Sequence, residues 1–197
     1  MIDRREFLQT AAALSAVPLA GWVTFAKARE RAVPEALVFD SRHLEGREFA
    51  TRAGVLGAPV RAIEGDITSL WQNELLCRWR TGPVAIAGLT ERPALFLLER
   101  LAWDHGLRVI FEAEHEAHGR GHAAHHVVRT ADPRLALDLA AAGHRWPRVL
   151  ADVLIVGTYA PPRDFRPTEV ALARYLGEPN KLYSWIIAPR TAAEVEI

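Results

Sequence analysis

The sequence predicts an α/β protein: a single three-layer domain with a mainly parallel sheet, an edge hairpin and an apolar helix at the N-terminus. Three observations lead there. Short strand-like segments recur at 36–39, 59–63 and 84–87, and the last is apolar without polar alternation, as expected of a strand covered on both faces. Helical patterns of ten or more residues separate them, long enough for right-handed crossovers between parallel neighbours. Glycines punctuate the ends, with Gly57 and Gly106 closing helices and Gly65 following a strand.

The clearest step is Pro83 to Gly106. Pro83 opens a strand where a missing N–H does least harm, and the run 84–87 follows it. Gly88-Leu89-Thr90 reads as a turn, with the Thr90 hydroxyl capping the next helix and Glu91 placing negative charge at its positive end. Pro93 lies in the first turn, and Leu95, Leu98, Leu101 and Ala102 recur at three- and four-residue steps.

Upstream, a strand at 36–39 ends at Asp40-Ser41 and a helix spans 44–55. A second strand at 59–63 ends at Gly65-Asp66, and a Trp-rich helix spans 67–79. Downstream, 107–111 makes a fourth strand. The polar segment 112–126, centred on Gly119-Arg120-Gly121, then turns back into a return strand at 126–129, forming a hairpin at the sheet edge. Helices follow at 132–142 and 146–156, a Pro-containing loop at 158–167, a helix at 169–176 and a last strand at 183–187. No internal repeat or low-complexity segment is present beyond this rhythm.

The chain has 197 residues, half of them apolar, with 24 basic and 24 acidic side chains. That suits one globular domain plus an export segment and does not indicate disorder. Without residues 1–28 the balance is 21 basic to 22 acidic, so no broad basic surface exists for nucleic acid. Lys27 and Lys181 are the only lysines, a bias read as genome composition before anion recognition.

Residues 1–28 carry the strongest motif. Arg4-Arg5, one variable residue and Phe7-Leu8 precede an apolar run at 11–25, and Ala26-Lys27-Ala28 forms an A-x-A cleavage signal. This segment resembles a bacterial twin-arginine signal, and the resemblance covers the leader alone. It implies a signal helix, recognition by the twin-arginine export machinery through Arg4, Arg5, Phe7 and Leu8, and scission after Ala28. It also implies export of an already folded domain to the periplasm, with transient membrane contact through the signal. Left uncleaved, the segment would act as an anchor. Ser15, Pro18, Gly21 and Thr24 interrupt the apolar run and make a permanent span the weaker reading.

Cys77 is the only cysteine, so no intramolecular disulfide forms and no cysteine-ligated cluster or c-type haem has its motif. Its place in the Trp-rich helix predicts a buried, inert thiol. GxGxxG, GxxxxGK[ST] and GxSxG are all absent, so neither a dinucleotide site, a P-loop nor a nucleophile elbow is indicated.

Two constellations remain. In open parallel sheets ligands bind beyond the carboxyl ends of strands. Those ends carry Asp40, Ser41, Arg42 and His43, then Gly65, Asp66 and Thr68, then Gly88, Leu89 and Thr90. Asp40 and Asp66 are the acid/base candidates, and Ser41, Arg42, Thr68, Gly88 and Thr90 the ligand-binding ones. The same residue types also cap helices and make tight turns. The second constellation is His115, His118, His122, His125 and His126, with Glu112, Glu114 and Glu116 nearby. Two hairpin arms can converge imidazoles on a metal, although a solvated His- and Glu-rich hairpin is the simpler expectation.

Absent motifs and a folded-export leader favour a small exported accessory or binding protein with no redox cofactor of its own. A protein partner in the periplasm is expected, such as a subunit of an oxidoreductase system. An enzyme at the strand-end rim and a metal-binding protein using the histidine cluster are the alternatives. The tryptophans Trp71, Trp79, Trp103, Trp146 and Trp185 exceed what a core of this size needs and would mark a partner surface if some were exposed together.

Overall fold

The first strand, β1 (Ala36–Asp40), sits between two parallel neighbours, β2 (Val60–Ile63) and β3 (Ile86–Thr90), in a computed structural model that describes residues 34–117, 123–129, 135–156 and 180–189. Three helical segments connect and follow these strands: α1 (Leu44–Val55), α2 (68–81) and α3 (Arg92–Trp103). A hairpin of β4 (Leu107–Ala117) and β5 (Ala123–Arg129) comes next, then α4 (Leu135–Ala142), α5 (Trp146–Val156) and β6 (Asn180–Pro189). The leader, His118, His122, the loop at 158–167 and the helix expected at 169–176 lie outside the described residues. No helix among the described residues is long and apolar enough to cross a membrane.

The class is α/β, and the sheet is mixed rather than mainly parallel. Its order is β2-β1-β3-β6-β4-β5. Only the two pairings of β1 are parallel; β6 runs antiparallel to both β3 and β4, and β5 returns antiparallel to β4 at the edge. Strand-helix-strand rhythm reports sequential connections, and β6 enters the sheet out of sequence order.

Pairing with β6 also corrects the reading of Gly88-Leu89-Thr90. These residues are the second half of β3, opposite Trp185, Ser184 and Tyr183. A Cβ on Gly88 would fall 2.5 Å from Trp185 Cζ2 and 2.5 Å from the Val38 carbonyl oxygen, so glycine here admits the indole. Thr90 is buried and accepts a hydrogen bond from Trp185 Nε1 at 3.0 Å, while Glu91 occupies the position before α3. Neither Gly88 nor Thr90 faces solvent at a ligand rim.

Helices cover both faces. One core packs Phe49 and Ala53 of α1, Leu135 and Leu139 of α4, and Leu150 and Leu154 of α5 against Leu37, Ala87, Leu89, Leu182 and Ile186. The other packs Leu75 and Trp79 of α2, and Leu95, Leu98 and Ala102 of α3, against Val38, Ile86, Val109, Trp185 and Ile187. Within α2 a π-turn spans Trp71–Leu75, and the buried side runs through Leu75 and Trp79. Cys77 therefore lies on the opposite side and is exposed, not buried as its apolar neighbours suggested.

Replacing Gly88 with alanine forces Trp185 or β1 to move. Gly88→Ala is expected to lower stability by about 1–3 kcal/mol, the usual cost of overpacking, measured by urea denaturation.

Candidate functional site

Because β2, β1 and β3 run the same way, their carboxyl ends share one edge, as the sequence predicts. Asp40 closes β1, fully buried at 0% exposure. Arg42 folds back on it: its backbone N–H and Nε donate to Oδ1 at 3.1 and 2.9 Å, and a terminal nitrogen donates to Oδ2 at 2.6 Å. The same terminal nitrogen reaches Glu91 Oε2 at 2.7 Å, and His43 Nε2 lies 3.0 Å from Glu91 Oε1. One guanidinium thus joins two carboxylates, and one of those carboxylates also binds an imidazole. Gly65, at φ +82°, lets the guanidinium lie against backbone where a Cβ would come within 2.6 Å of it.

The electrostatics follow from burial and pairing. Burial alone pushes the Asp40 carboxyl up; the Arg42 side-chain and backbone hydrogen bonds, aided by the Arg42 and His43 charges, outweigh it and leave the group below its ordinary 3.8. Bonds from Asp40 and Glu91 raise the Arg42 guanidinium further. Asp40 is therefore ionised at neutral pH and holds no proton to exchange. Asp40, His43 and Glu91 offer ligand atoms within 4.8 Å of one another, yet a divalent cation there would compete with a guanidinium already bound to both carboxylates.

The other rim candidates serve the turns. Ser41 donates its hydroxyl to the Ile63 carbonyl at 3.1 Å. Asp66 accepts from Thr68 N–H and Oγ1 at 2.9 and 2.7 Å, and those two bonds hold its carboxyl below 3.8. Asp40 and Asp66 are each committed to a different neighbour and share no hydrogen-bond partner. His43 and Glu91 complete the strand-end cluster; Glu91 was legible only as a helix-start charge, because its link to Arg42 spans 49 residues.

The second constellation departs further from expectation. A register irregularity between Val109 and Phe111 turns β4 over. Leu107 and Val109 pack with α2 and α3, whereas Phe111, Ala113 and His115 face the side covered by α4 and α5. His115 stands directly across from His125 on β5. Far from solvated, His115 is 0% exposed, and His125 is half-buried. Their Nδ1 atoms are 2.7 Å apart, His115 Nε2 lies 2.7 Å from Ser184 Oγ, and Trp146 stacks on His115 at 4.6 Å and meets His125 edge-on at 5.1 Å. Alternation sends Glu114 and Glu116 to the opposite face, where Lys181 pairs with both, and His126 is exposed. His118 and His122 fall outside the described residues.

Burial drives the His125 pKa down to about 4. His115 is pushed well below 6.5 by burial first and by repulsion from His125 second. Both imidazoles are neutral at pH 7.

Compared with protein-family models, curated proteins and solved structures, the chain matches none.

Two outcomes follow. Arg42→Ala strands the buried Asp40 charge and should cost about 2–3 kcal/mol at pH 7, less than for a fully buried pair because Arg42 is 44% exposed. Urea denaturation checks it. A neutral buried histidine must charge on unfolding, so between about pH 6.5 and 4 the unfolded state holds more protons and stability falls as pH falls. His125 alone accounts for roughly 3 kcal/mol over that window. His125→Gln should reduce the slope of stability against pH between 6.5 and 4, leaving the part that belongs to His115 and the Asp40-linked loss below pH 4.

Proposed function

We propose that this chain is a small exported α/β protein that acts by binding, as an accessory subunit of a periplasmic system, an oxidoreductase among the candidates. The observation that carries this reading is the outer side of α3. Phe96, Leu97 and Trp103 are 44, 46 and 40% exposed there, and Arg100 lies over both aromatic rings, 5.2 Å from Phe96 and 4.1 Å from Trp103. Aromatic and arginine side chains together are typical of the centre of protein interfaces. The closed strand-end cluster supports the same reading, since its charges satisfy one another instead of awaiting a substrate. Twin arginines at Arg4 and Arg5, Phe7-Leu8 and the Ala26-Lys27-Ala28 site support export with the domain already folded, a route that suits a protein carrying a signal-less partner along.

Tagged full-length protein, isolated from the periplasm, should bring one stoichiometric partner with it. Phe96→Glu with Leu97→Glu should release that partner with stability within about 0.5 kcal/mol of wild type, as these side chains are exposed. Arg4→Lys with Arg5→Lys should hold the chain in the cytoplasm, read by fractionation. A wild-type protein that elutes alone contradicts the subunit reading.

One observation favours a second reading. His43, held by Glu91 at 3.0 Å, is an oriented imidazole of the kind acid/base enzymes use. Turnover in a panel of ester, phosphoester and glycoside substrates, abolished by His43→Ala, would establish it.

A further inference from the structure

We propose that His115 and His125 form a two-nitrogen site for a soft monovalent transition-metal cation, copper(I). Two neutral imidazoles on adjacent strands aim the same ring atom, Nδ1, at one point, 2.7 Å apart. A metal–nitrogen bond is about 2 Å long, so a linear nitrogen–metal–nitrogen arrangement needs the two atoms about 4 Å apart. The required opening falls on the hairpin, whose β5 arm is the sheet edge and pairs with β4 alone. His125, half-buried, is the side from which an ion enters.

The far nitrogen of His115 is already arranged as a ligating histidine requires. With Nδ1 bare, the remaining proton sits on Nε2 and is donated to Ser184 Oγ, at 2.7 Å. A neighbour accepting that N–H fixes the tautomer and the ring orientation of a ligand. Without metal, one proton occupies the Nδ1–Nδ1 bond. Binding moves it to Nε2 of the same ring, so no proton leaves the protein and no electron is transferred.

The charge of the site selects the ion. Flanking Glu114 and Glu116 lie on the other face with Lys181, and no anionic ligand among the described residues joins the two imidazoles. The cost of burying an ion grows with the square of its charge, so a divalent ion suffers about four times the penalty of a monovalent one with nothing to neutralise it. Imidazole suits copper, and two neutral donors satisfy a monovalent d10 ion. Trp146 packs against both rings, placing an indole π system beside a bound cation.

The test is anaerobic copper(I) titration of the full chain against a chromophoric copper(I) chelator. It is run in a Cys77→Ser background because the exposed thiol is itself a soft ligand. One equivalent should bind, with X-ray absorption reporting two nitrogen donors. His125→Ala should weaken binding by roughly 100-fold or more and Ser184→Ala by about 10- to 100-fold, with far-UV circular dichroism unchanged. His126→Ala, one residue away but on the exposed face, should leave affinity as it was. Three results each overturn the proposal: affinity unchanged in His125→Ala, equal loss in His126→Ala, or zinc(II) bound at the pair as tightly as copper(I).

Discussion

The structure depends on how β6 is seated. This last strand lies between β3 and β4 and pairs with both, so it alone joins the parallel half of the sheet to the hairpin half. Its side chains alternate between two cores. Trp185 lies over Gly88 and donates to Thr90 on one face, and Ser184 holds His115 on the other. Two adjacent residues of one strand thus serve the helix layer of α2 and α3 and the layer of α4 and α5. A strand covered on both sides presents apolar side chains to both, and Trp185, Ile186, Ile187 and Ala188 are all nearly inaccessible, while the buried Ser184 is partnered by His115.

The two candidate sites use this frame differently. The strand-end cluster is built from the parallel half, where three strands gather their carboxyl ends and Arg42 ties Asp40 to Glu91. One guanidinium shared by two carboxylates makes this edge rigid. The histidine pair belongs to the hairpin half and arises from one irregularity in β4. Without that extra residue near Ile110, His115 would share a face with Leu107 and Val109, away from Trp146.

Much of this architecture was legible in the sequence. Short apolar or mostly apolar segments identified β1 and β2 and, displaced by two or three residues, β3. Three- and four-residue periodicity located α3, and the helices expected at 44–55 and 146–156 coincide with α1 and α5. Sequence reasoning missed where β6 goes, although the run Tyr183-Ser184-Trp185-Ile186-Ile187 carries the signal: a strand with apolar side chains on both faces belongs in the middle of a sheet, not at its end. Gly88 was misread because glycine signals a turn locally, whereas here it answers a tryptophan almost a hundred residues away. The Asp40–Arg42 pair was readable at a spacing of two; its extension to Glu91 depended on strand order. His115 was indistinguishable from its neighbours, since a β-bulge leaves no mark in hydrophobic alternation and it alone decides which histidines are buried.

The most direct test is amide hydrogen exchange resolved by residue. A strand paired on both sides should open only with the whole domain. The amides of Tyr183 through Ile187 should therefore exchange with the free energy of global unfolding, equal to those of β1, while the edge strands β2 and β5 exchange through smaller openings. Amides of β6 exchanging as readily as those of β5 would place it at an edge and contradict the account.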